Sequence, residues 1–440
     1  MRPRFLLLLL TAAVVMPAAA LLETGSAAPV APTFSWWNSP TSLALYNEAG
    51  EPSVGVNWKT GAVLFQSYTE TYKIDIAPAT PTWTNVGSPY SVFNVDPILF
   101  TDPVTGRTFA GGLDGYCSAL SYTDTDGTPA LGWTPMTNAC AGAGWDHQTI
   151  GGGPFAGTTT GVGYPHIVYY CSQTGLQPGP GWCSTSFNGG LSFNGGVQTW
   201  TTQCWGLHGH VKVGPNGYAY LPSRNCGTAQ GGAVSKDNGL TWTVFRVPGI
   251  APTDQFDPSV AIGGNATDNK VYYCGRDGNG QAKVAVSSNN GTTWSTPVNV
   301  GAAAGLNNIE FPAMVAGDKN RAACAFLGTT TSGDTQKSTF GGVWRLYVAT
   351  TFDGGATWSL ADVTGSDPVQ RGCIWAGGGS NSCRNLLDFM DAAITKEGRI
   401  VVAFADGCTG ACSTGPSTQK SSWASIAVQR GGTTLFSQYD

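Results

Sequence analysis

Acidic residues recur at the heads of short apolar stretches in this 440-residue chain: Glu51, Asp96, Asp146, Asp257, Glu310 and Asp391, with His210 at the matching point of one more stretch. Carboxyls brought together by a fold repel one another, so at least one keeps its proton towards neutral pH. A set like this supplies both a general acid and a general base. Asp96, Asp146, His210, Asp257 and Glu310 are therefore the candidate catalytic groups. Each has a plainer use as well. Asp-Pro and Glu-Pro begin strands for turn reasons, and carboxylates accept backbone bonds or ligate a structural calcium ion. Arg224 and Arg276 have forks suited to a carboxylate-bearing ligand, or to a surface ion pair. Of only four histidines, His147, His208 and His210 sit at stretch heads, where each is a base, a metal ligand or a backbone-bonded structural group. Glu51, His147, Arg224, Arg276 and Asp391 form the candidate substrate-binding set.

The elements that must position these groups are strands. Glu51 leads through Val54-Gly55-Val56 to Ala62-Val63-Leu64-Phe65, and the same two-step layout follows at 96, 146, 210, 257, 310 and 391. The heads are 45 to 81 residues apart, against about 40–50 per four-stranded repeat unit. Sixty-one glycines and the absence of a long 3.6-residue apolar period argue for strands and turns rather than helices.

A second pattern fixes the repeat. Ser235-Lys236-Asp237-Asn238-Gly239-Leu240-Thr241-Trp242 reads as a tight hairpin, with Gly239 free to take positive φ and Asp237 accepting the turn's own N–H groups. It returns at Thr351–Trp358 around Asp353, at Ser287–Trp294 around Asn289, and in a worn copy at Ser186–Phe193 around Asn188. Asparagine keeps the accepting oxygen. These octamers resemble the Asp box of sialidases and related repeat propellers. The resemblance implies an all-β fold: a single β-propeller of four-stranded antiparallel blades, seven by the count of heads, with six as the alternative. It also implies that the boxes lie on the outer rim with structural roles, and that the heads line a central channel. An N-terminal strand, for which Ser42–Tyr46 is the candidate, then pairs with the C-terminal strands to close the ring.

Residues 1–28 read as a signal peptide and processing region, and 29–440 as one sialidase-like propeller domain. Arg2 and Arg4, the apolar run Phe5–Val15 and Ala18-Ala19-Ala20 have the layout of a cleaved export signal. Twelve cysteines in an exported chain point to disulfides. The expected pairs are 117/140, 171/183, 204/226, 373/383 and 408/412, with 274/324 joining successive repeats. A net charge of −5 excludes a basic nucleic-acid footprint, and no other segment is apolar enough to span a membrane. The expectation is a secreted, extracellular monomer whose partner is a carbohydrate or glycoconjugate, requiring no cofactor, with a structural calcium ion as an open option.

By the resemblance, Arg224 matches a carboxylate-binding arginine of the sialidase blade, while His210 stands where a glutamate would be. No arginine lies between Arg4 and Arg107, and no tyrosine between Tyr347 and Tyr439, so the family's first-blade arginine and nucleophilic tyrosine are absent. The leading reading is glycoside hydrolysis by channel carboxylates. A polysaccharide lyase acting beside a uronate carboxylate is the runner-up, and a non-catalytic glycan- or protein-binding propeller is the alternative from another class.

Overall fold

Seven strands converge on a central axis, each heading a four-stranded antiparallel sheet, and the sheet headed by Asn308–Ala316 gains a fifth short strand, Gln370–Arg371. The computed structural model describes residues 28–91, 95–128, 132–144, 146–174, 179–415 and 420–440. The export-signal reading falls almost wholly outside these residues. The inner strands are Ser53–Val56, Val95–Thr101, Asp146–Gly153, Lys212–Val213, Ser259–Gly264, Asn308–Ala316 and Asp391–Ile394, and they define blades 1 to 7. Every head found in the sequence stands at or within a few residues of the start of one of these strands.

The convergence has a steric signature. A Cβ on Gly151 would lie 2.4 Å from the Val211 carbonyl of blade 4, and one on Gly209 would lie 2.0 Å from the Pro258 carbonyl of blade 5. Bulk is carried one strand further out. The second strands contribute Phe65, Phe109, Tyr169, Tyr220, Tyr272, Phe326 and Phe404, all fully buried. Each such side chain stabilises the fold by about 1.5–3 kcal/mol through the apolar area it removes from water.

The ring closes in blade 7, where Thr33–Asn38 pairs antiparallel with Trp423–Gly431 on the outer edge. Ser42–Tyr46 is not the closing strand. It forms turns, with Leu45 at a φ of 56°. Its Leu45 carbonyl accepts from the Ser67 hydroxyl at 2.8 Å, and its Ala44 carbonyl accepts from Tyr72.

All four octamers make the same turn between the third and fourth strands of blades 3 to 6. Ser235 Oγ donates to Asp237 Oδ1 (2.9 Å) and accepts from Gly239 N (2.8 Å), and Thr241 N donates to Asp237 Oδ1 (2.9 Å). Asp353, Asn289 and Asn188 repeat this pattern. Because strands alternate in direction, these turns lie on the face opposite the heads of the inner strands.

The six disulfides are 117–140, 171–183, 204–226, 274–324, 373–383 and 408–412. Of these, Cys274–Cys324 ties the second strand of blade 5 to that of blade 6. No described helix is long and apolar enough to cross a membrane.

Candidate functional site at the channel mouth

The heads of the inner strands share one face, and several are not in ordinary strand conformation. Glu51, Asp96, His147 and Phe311 have φ values of 57°, 53°, 55° and 57°, a left-handed geometry uncommon outside glycine. In blades 2, 3 and 6 the pairing register slips at this point. A bulge re-aims the side chain it carries, and the surrounding structure must hold the strain. His147 and Phe311, not Asp146 and Glu310, thus occupy the position of Glu51 and Asp96, one residue later than the sequence phasing implies.

Glu51, Asp96, His147 and Asp257 meet in one network together with two residues from the insertion before blade 7, Arg384 and Asp388. Burial, and then Asp96 and Asp388, hold Glu51 well above the usual carboxyl range. Glu51 Oε2 and Asp388 Oδ1 are both buried without a hydrogen-bond partner. Asp388 Oδ2 accepts from Arg384 Nη2 at 2.6 Å. Asp96 is also raised, first by burial, although the His147 charge opposes this and the His147 backbone N–H donates to Asp96 Oδ2 at 3.3 Å. The His147 Nε2 atom bonds to Asp257 Oδ2. Burial works against a charge on His147, but Asp257 outweighs it and lifts the imidazole to about 9. His208 behaves in the opposite way. Burial and the neighbouring His147 charge push it down to about 3, and its Nδ1–H donates to the Gly209 carbonyl at 3.0 Å.

The other expected site residues form neighbouring groups on the same face. Asp391 sits 3.6 Å from both Lys212 Nζ and His210 Nδ1. Burial raises Asp391, yet Lys212, His210 and the Val54 N–H bring it down to about 2. Glu310 is fully buried, 3.2 Å from Arg276 Nε and 2.9 Å from the Thr335 hydroxyl. Burial prevails and raises it to about 7. Arg224 is buried, with Nε and Nη1 lacking hydrogen-bond partners. Burial depresses its pKa against the opposing charges of Asp257, Asp254 and Asp388. Asp146 precedes its bulge and acts on Asp96 and His147 through its charge. Among the described residues, no group of three or more His, Cys, Asp or Glu side chains is placed to hold a metal ion.

The insertion decides what can reach these groups. Cys373–Cys383 staples it, Ile374 and Leu386 are buried in the core, and the Leu386 carbonyl accepts from Glu51 N. Phe389 lies edge-on to His210 (4.5 Å between centroids) and to His147 (6.2 Å). The channel mouth is therefore plugged, not open. Beside the plug, a cleft of about 440 Å³ is lined by Glu51, Asp96, Tyr68, Arg384, Lys420 and Ser422, among others. Lys420 donates to the Cys373 carbonyl at 2.8 Å, and burial lowers it to about 8.

Sequence reasoning missed Tyr68, Arg384, Asp388, Phe389 and Lys420 as site residues. One signal was present: Arg384, Asp388 and Asp391 fall within eight positions of a chain that is only 11% charged.

No family model and no curated protein matches this chain. Solved structures are similar in fold. A fungal lectin from Aleuria aurantia, described as a six-bladed propeller with a fucose recognition mode, is 13% identical over 72% of this chain and 97% of its own, with a TM-score of 0.45. AofleA from Arthrobotrys oligospora is 14% identical over 75% of this chain and 90% of its own, at 0.43. A protein from Dyadobacter fermentans is 14% identical over 92% and 100%, at 0.42. These likenesses concern β-propeller architecture alone.

Proposed function

We propose that the protein is an extracellular carbohydrate-binding propeller whose ligand sits in the mouth-face cleft beside Glu51 and Asp96. The observation that carries this reading is the plugged mouth. Phe389 and Asp388 fill the channel that a propeller glycosidase would need open, while a polar cleft of about 440 Å³ remains next to it. That volume falls within the range of small-ligand pockets. Tyr68 offers an aromatic surface and Arg384 and Lys420 offer donors. The carboxyls of Glu51 and Asp96 offer further hydrogen-bonding oxygens to sugar hydroxyls. The six disulfides support an oxidising, exported setting.

A glycan array probed with the disulfide-intact protein tests the reading, followed by titration of Tyr68→Ala and Asp96→Asn. Each variant should weaken binding tenfold or more with an unchanged circular dichroism spectrum. Failure to bind any glycan, or variants that bind like the parent, would refute it.

One observation favours a second reading. Glu51 and Asp96 place two carboxyls on a single cleft, and glycoside hydrolysis uses a pair of carboxyls, one as acid and one as base or nucleophile. Release of reducing ends from a bound glycan by the parent, but not by Asp96→Asn, would support it.

A further inference from the structure

Five cations line a groove on the face opposite the mouth, where blade 1 meets blade 7. Its volume is about 870 Å³, and Lys59, Lys73, Lys396, Arg399 and Arg430 stand in its walls against Asp75 and Glu397. The whole chain carries a net charge of −5, so this wall runs against the overall sign of the molecule. The cations are mostly not neutralised by acids. Arg430 spends its fork on the carbonyls of Ile76 (2.6 Å) and Pro78 (3.1 Å) and lies over the Trp37 ring at 4.8 Å. Arg399 Nη1 is buried with no hydrogen-bond partner. Lys59 donates to the Thr105 carbonyl, and Lys73 reaches Asp126 only at 3.9 Å. Burial and then the neighbouring Arg399 charge depress the Arg430 pKa, as expected of like charges held close together.

Between the cations the wall is apolar, with Trp58 and Ile76 partly exposed over the buried Val56 and Ile74. An anion alone would leave this surface unused. A long polyanion such as a nucleic acid would run out of the groove onto a surface of net negative charge. A short saccharide with acidic substituents meets both halves of the wall.

We propose that this groove is a second binding site, for an acidic oligosaccharide. Its sulfate or carboxylate groups would take the Arg399 guanidinium and Lys396, and its C–H faces would lie on Trp58 and Ile76. Arginine provides a paired-donor fork for either anion, so the sulfate and carboxylate sources share one chemistry. The site is independent of the mouth cleft and lies on the other side of the ring.

The test is calorimetric titration of the full disulfide-bonded chain with a heparin tetrasaccharide, a galacturonate tetrasaccharide and neutral cellotetraose. At least one acidic probe should bind, weakening at least threefold between about 50 and 200 mM salt, because its contacts are charged and partly exposed. Arg399→Gln and Lys396→Gln should each weaken it about tenfold or more. Arg399→Lys should recover only part of the loss, and Lys337→Gln, at an exposed cation outside the groove, should change nothing. Absence of binding by both acidic probes at millimolar concentration would overturn the proposal. So would variants that bind like the parent, or a dodecanucleotide that binds as tightly as the saccharides.

Discussion

Asp257→Asn removes the carboxylate that keeps the buried His147 charged, and its effect should depend on pH in a calculable way. His147 is raised from its ordinary value of 6.5 to about 9. A group raised on folding stabilises fully below its unfolded pKa, and that contribution is lost as pH rises through the folded value. At about 1.4 kcal/mol per pH unit, the gap between 6.5 and about 9 amounts to about 3 kcal/mol. The pair is 6% and 5% exposed, so solvent screening removes little of this. Lys420 confuses a simple pH series. Its pKa is lowered from 10.5 to about 8, so its contribution grows more favourable as pH rises between those values, which overlaps the His147 window. The readout is therefore the difference between parent and Asp257→Asn, in which Lys420 cancels. Below pH 6.5 the variant should lose about 3–5 kcal/mol, the cost of breaking a buried pair. Near pH 10 the deficit should shrink by about 3 kcal/mol. Urea unfolding at both pH values, with disulfides intact, measures it. An equal deficit at the two pH values would refute the view that His147 is held charged by Asp257.

Other outcomes follow from the fold. Asp237→Ala should cost about 1–3 kcal/mol, since it removes the acceptor of three turn bonds, whereas Asp237→Asn should cost under about 0.5 kcal/mol. Asn289 and Asn188 already make the same bonds, and thermal melts of both variants decide the point. Replacing Cys274 and Cys324 together by Ala should cost about 4 kcal/mol from the 50-residue loop they close, against about 2 kcal/mol for Cys408 and Cys412, separated by 4. Denaturant unfolding of the two double variants should keep that order. Phe389→Ala should cost about 3–5 kcal/mol and open the mouth, so that a hydrophobic dye binds where the parent shows no uptake.

The architecture was legible because it repeats. Each blade needs an inner strand head, a bulky residue on its second strand and a turn back, and those needs recur as Asp-Pro or Glu-Pro, as buried Tyr or Phe, and as the octamers. Disulfide pairing was legible for a related reason: most partners close single loops, and Cys274 and Cys324 fall at one register of successive repeats. The closing strand was not legible. Thr33–Asn38 and Ser42–Tyr46 are both short and apolar, and only the edge offered by Trp423–Gly431 chooses between them. The bulges were hidden too, because a left-handed Glu51 or His147 breaks local preference and is held there by its tertiary partners.

By itself, the sequence determined that strands would form, where each blade would begin, how the rim turns would be bonded and which cysteines would pair, since local chemistry and its repetition are sufficient for these. Only the tertiary structure decided the site. Asp388 and Phe389 arrive from an insertion outside the repeat, and they convert an open channel of acids into a plugged mouth with a cleft beside it. The cationic groove likewise joins Lys59 and Lys73 to Lys396, Arg399 and Arg430 across the closure of the ring. No local pattern encodes such neighbours, because ring closure alone sets their proximity.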